Sequence, residues 1–176
     1  MLDKKPFDSE IDAKFTLLDS FEILVPYDYR HERCFEHFLE QYKNILGHVD
    51  DLFTDKTLSE GTVVMKPGDR FIAKLFTIPE DALLDDCYYR IEKEGGSLLN
   101  AQALTLLFDQ ARDALPLGTP IISLGESWAV WASPEDEDYV LPALAVFPEG
   151  RAGLYMLLQE KTLGEPGCVL LVCVKK

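Results

Sequence analysis

Residues 139–146 (YVLPALAV), 154–158 (LYMLL) and 169–174 (VLLVCV) decide the fold class of this chain. Each run is short and apolar, and turn-forming residues bound it: Pro134 to Asp138, Pro148-Glu149-Gly150 and Gly164 to Gly167. Runs of that length and setting read as strands. Two more, 119–124 (TPIISL) and 128–132 (WAVWA), flank Gly125-Glu126-Ser127. The C-terminal part is therefore expected to be β throughout. Short connections favour antiparallel neighbours. Pro142 cannot donate to a ladder, which places its strand at an edge or a bulge.

Upstream the period changes. Phe35, Phe38, Leu39, Tyr42 and Leu46 follow helical spacing and predict a helix over Arg30 to Leu46, with Gly47 at its stop. A second helix is expected from Pro79 to Lys93, ended by Gly95-Gly96. Its first turn would hold Glu80 and Asp81, where the helix dipole favours acids. Ser97 is positioned to cap a third helix running to Ala114, with Leu104, Phe108, Ala111 and Leu115 as its buried stripe. Further strands are predicted at Phe21–Val25, Thr62–Met65 and Arg70–Ile78, and residues 48–60 read as loop. Lys66-Pro67-Gly68-Asp69 is a turn, with proline presetting φ and glycine supplying a positive one.

The sum is an α+β fold: a mainly antiparallel sheet of about six to seven strands with about three helices packed on one face. Residues 1–14 are expected to be a loosely ordered tail, and 15–176 a single domain.

The chain carries 31 acids against 17 lysines and arginines, a formal charge of −14, and acids exceed bases in 1–60, 61–100 and 101–176 alike. The only basic pairs, Lys4-Lys5 and Lys175-Lys176, lie at the ends. That distribution argues against nucleic acid and anionic membrane as partners. It fits a solubility role or a basic protein surface as partner. None of the four cysteines forms a C-x-x-C pair, and the apolar runs are too short to span a bilayer. Reduced core thiols in a cytoplasmic protein without a signal peptide are expected.

The motifs with chemical content each fall short. Gly125-Glu126-Ser127-Trp128-Ala129 approaches a nucleophile elbow, but its fifth residue is Ala and a strand, not a helix, is expected after the serine. His31, Cys34 and His37 are zinc-ligand types. Their spacing turns the two histidines about 120° apart on a helix, which leaves two surface histidines and a core thiol. Glu135-Asp136-Glu137-Asp138 lacks the glycine and distal glutamate of a calcium loop. No glycine-rich phosphate loop is present. No cofactor and no metal are expected, and no catalytic residue stands out.

Trp128 and Trp131 lie three apart in one predicted strand and face opposite sides, so one of them is a candidate interaction anchor. With Glu135, Asp136, Glu137 and Asp138 they form the candidate partner contact. Residues Ala101 to Leu144, a helix, then Pro-x-Gly, then a strand ending in Ser-Leu-Gly, resemble uncharacterised bacterial proteins. That likeness implies no activity. The leading expectation is a non-enzymatic protein-binding or accessory module. A small hydrolase using carboxylate or serine chemistry is the alternative, and a nucleic-acid mimic a third.

Overall fold

The computed structural model describes residues 14–51, 53–55, 63–125, 139–159 and 167–176. The expected tail 1–14 apart from Lys14, the strand 128–132 and the acidic run 135–138 lie outside the described residues. The fold is α+β. Among the described residues seven strands form one sheet: β1 (Leu17–Leu24), β2 (Leu46–Val49), β3 (Arg70–Thr77), β4 (Ile121–Ile122), β5 (Tyr139–Val146), β6 (Ala152–Gln159) and β7 (Val169–Lys175). Their spatial order is β1-β3-β7-β4-β5-β6-β2. Three α-helices accompany them among the described residues: α1 (Cys34–Tyr42), α2 (Leu84–Lys93) and α3 (Asn100–Ala111).

The sheet is mixed rather than mainly antiparallel. β4 runs parallel to β7, and β2 runs parallel to β6. Short connections correctly make β5 and β6 antiparallel neighbours. They say nothing of β7, which inserts between β3 and β4. Its composition explains that position. Val169, Leu171 and Cys173 join one apolar cluster, while Cys168, Leu170 and Val172 join another on the opposite side. A strand apolar on both faces must be covered on both faces, and only an interior strand is.

That double burial also overturns the expectation of helices on one face. α1 and α3 cover the side presented by Phe71, Ala73 and Leu75. α2 covers the other, packing Cys87 and Ile91 against Phe76, Leu170 and Val172. Gly96 makes the close approach possible. A Cβ there would meet Val172 Cγ1 at 2.7 Å and the Ile91 carbonyl at 3.1 Å.

Several boundaries shift for local reasons. α1 stops at Tyr42, because Leu46 is needed as a strand residue opposite Ala152, so Gly47 lies inside β2 instead of stopping a helix. Residues 46–49, read as a helix end, its stop and the start of a loop, are therefore a strand at the end of the sheet. α2 begins at Leu84 rather than Pro79, and Asp86 caps it by accepting the Leu83 N–H at 2.7 Å. Ser97 does not cap α3: it bridges to Cys173 of β7 through its backbone N–H. Residues 63–66 form no strand, and only Met65 of them is buried.

Pro142 sits in β5, an interior strand and not an edge. Its carbonyl accepts the Ser123 N–H, so its missing donor faces the same way, just past the short β4. The reciprocal bond of that pair, from residue 142 to the Ser123 carbonyl, is the one the proline cannot make, and β4 ends at Ile122 just before it.

Candidate functional site

α3 is almost wholly buried from Ala101 to Phe108, although an exposed face is the usual condition of a helix. The sheet lies beneath it and α1 lies against it. Phe108 meets Phe38 and Tyr42 edge-on, with ring centroids 5.7 and 5.1 Å apart. Two polar side chains, Gln102 and Thr105, are carried into that layer. Thr105 satisfies its hydroxyl on the Gln102 carbonyl, at 2.9 Å. Gln102 Nε2 donates to His31 Nε2 at 3.2 Å.

His31 is therefore buried, not a surface histidine. It lies in a single 3₁₀ turn, His31–Arg33, ahead of α1. His37 is exposed on α1. His31 thus precedes the α-helix that carries His37, and Cys34 between them is buried. Among the described residues no three or more His, Cys, Asp or Glu side chains are gathered where they could hold a metal ion.

α1 has no cap from its own flank. Asp55, far along the chain, supplies one: its carboxylate accepts the Phe35 N–H at 2.8 Å and lies 3.4 Å from the Glu36 N. The segment after β2 thus fixes the start of the helix.

Between α1, α3 and the loop leaving β1, a half-open cleft of about 440 Å³ remains. Its apolar wall includes Tyr29, Phe38 and Leu106, and its charged lining is Asp28, Arg30, Arg33, Glu36, Glu40 and Asp109. Arg33 is bound to Glu36 through two nitrogens, at 2.5 and 3.0 Å. Asp109 accepts from the Tyr42 hydroxyl in a very short hydrogen bond, and from Gln41 Nε2 at 3.1 Å.

The titrations of this region favour neutral forms. Burial pushes the Cys34 thiol up to about 11. Burial, reinforced by the neighbouring Cys34, raises the Tyr29 phenol far above its ordinary range. Burial and the bond to Asp109 move Tyr42 to about 12. A thiol that holds its proton to such a pH is a poor nucleophile. The cleft thus offers a shaped, charged surface rather than an activated attacking group.

The candidate contacts Trp128, Trp131 and Glu135 to Asp138 lie outside the described residues, as does Ser127. Sequence reasoning singled out Cys34 and His37 but missed the cleft that both line. Its walls come from positions some 70 residues apart, and helical periodicity does not say which helices meet. One signal was legible: Gln102 and Thr105 interrupt an otherwise apolar stretch of helix. Four cysteines are free and buried, and no helix among the described residues is long and apolar enough to cross a membrane. No family model matches this chain, and neither a curated protein nor a solved structure is significantly similar to it.

Proposed function

We propose that this chain is a non-enzymatic protein-binding module, and that the α1–α3 cleft is its contact with a partner. The observation that carries the reading is the cleft itself. It lies in the volume range of binding pockets, with an apolar floor and a polar rim. Its four acids and two arginines sum to −2 with His37 neutral, in a chain of −14. Surfaces of that sign attract basic ones and repel acidic ones, so the partner's face should be basic. Cys34, the nucleophile type at the cleft, is held protonated.

The test is a differential capture from cell lysate. Wild-type chain is compared with the Asp28→Lys/Glu40→Lys variant, after circular dichroism shows that both are folded. Both residues are exposed, so the exchange should leave the fold intact. A protein retained by the wild type and lost by the variant supports the reading. Identical captures would remove the cleft from it.

A further inference from the structure

The proposed function gives the partner a basic face. Building on it, we propose that the cleft receives a cationic side chain, an arginine or lysine presented on an exposed segment of the partner protein. The first reason is how the charges of the cleft are spent. Glu36 is neutralised by Arg33, and Asp109 is occupied by Tyr42 and Gln41. Asp28 and Glu40 make no ion pair or side-chain hydrogen bond among the described residues, against Arg30 alone on the positive side. Two carboxylates without a direct partner, of which Glu40 acts on Arg33 only through space, beside one such guanidinium leave a net demand for positive charge.

The second reason is shape. Tyr29, Phe38 and Leu106 line the cleft with aromatic and aliphatic surface. A lysine or arginine side chain has a matching build, an apolar stem carrying a charged head. A guanidinium also stacks on aromatic faces. A volume of about 440 Å³ holds one or two side chains and no folded element.

The third reason points to a macromolecule. Tyr27 is flanked in sequence by two residues of the cleft, Pro26 and Asp28, yet is 80% exposed. Its ring is seated against the turn at Gly68, where an added Cβ would come within 3.3 Å of it. A large, braced and exposed aromatic next in sequence to the cleft's lining is a candidate anchor for a protein interface. A free amine inside the cleft would not need it.

The experiment is an NMR titration of the whole, isotope-labelled chain. The probes are N-acetyl-arginine methylamide, its uncharged citrulline isostere, the glutamate analogue, and agmatine as a free amine. The arginine probe should shift resonances of residues 26–41 and 105–109 with millimolar affinity. Citrulline should bind at least about tenfold more weakly, a difference of roughly 1.4 kcal/mol. The Asp28→Asn/Glu40→Gln variant, its fold verified by the same spectrum, should lose the response. Equal binding of citrulline, or stronger binding of the glutamate analogue, would overturn the proposal. Agmatine binding more tightly than the blocked arginine would assign the cleft to a free amine and also overturn it. If differential capture succeeds while the arginine probe leaves the cleft unmoved, the cleft remains the partner contact and only the cationic occupant is lost.

Discussion

Phe108 closes the layer between α3 and α1, wedged edge-on against Phe38 and Tyr42. It is 1% exposed. Phe108→Ala leaves a cavity that rings on two helices cannot both collapse into, and should cost about 3–5 kcal/mol. A urea titration reads this directly, and a loss below about 1 kcal/mol would mean that the layer repacks freely. Cys34 and Tyr42 make a second prediction, in pH. Both hold their protons more tightly folded than unfolded, at about 11 and about 12 against ordinary values of 9 and 10. A group of that kind stabilises the fold fully below its unfolded pKa, and the contribution is lost as pH climbs through the folded one. Melting temperature should therefore hold up to about pH 9 and fall between about 9 and 12. Cys34→Ala should make the fall shallower. A melting temperature unchanged at pH 11 would contradict the burial of both groups.

Among the elements, β1 is the most exposed to misuse, because an edge strand is a template for another chain. It is closed in three places. Gln110 of α3 reaches over and pairs with Leu24 as a strand would, accepting its N–H at 2.9 Å and donating to its carbonyl at 2.8 Å. Asp19 accepts the Ser20 N–H at 2.7 Å. The register slips between Leu17 and Asp19, so Leu18 bulges from the ladder. Gln110→Ala should lose about 1–2 kcal/mol of stability, since two ordinary hydrogen bonds go. It should also produce concentration-dependent association, visible by analytical ultracentrifugation. A variant as stable and as dispersed as the wild type would show that Gln110 guards nothing. α1 depends on a distant partner in the same way. Replacing its remote cap, Asp55→Ala, should cost about 0.5–2 kcal/mol in thermal or urea unfolding, as losing a local cap does. A cost near zero would show that α1 needs no cap from outside its own flank.

For the whole molecule the governing quantity is charge. The excess of acids is spread along the chain, and exposed like charges act over about 8 Å at physiological salt. If the partner's face is basic, its on-rate should fall steeply as salt rises. Stopped-flow association with the captured partner, at low and high salt, measures this. Neutralising Glu135, Asp136, Glu137 and Asp138 to Gln and Asn should change folding stability by less than about 0.5 kcal/mol. It should slow association if that run adds to the contact. A rate indifferent to both salt and neutralisation would confine the acidity to solubility. Charge also has an internal use. Glu94 at the end of α2 binds both Arg90 and Lys74 at 2.6 Å, and Arg90 lies 4.2 Å over the Phe76 ring. These contacts, mostly shielded from solvent, clamp α2 to β3 on the side of the sheet away from the cleft.

By itself the sequence determined what the local period and composition of each segment dictate. The helical spacing of Phe35, Phe38 and Tyr42, the runs at 139–146 and 169–174, and the positive-φ turn at Gly68 all follow from residues within one or two turns of each other. The class, α+β, follows from helical patterns upstream of a run of strands. Only the tertiary structure decided where β7 goes, which face α2 covers, and that 46–49 is a strand. Each depends on what the apolar surface of one element finds on another, and a linear pattern carries no partner. The same reason hid the cleft. Asp28, Glu40 and Asp109 are unremarkable as neighbours in sequence, and acquire a shared chemistry only when α1 and α3 close on Phe108 and bring their rims together.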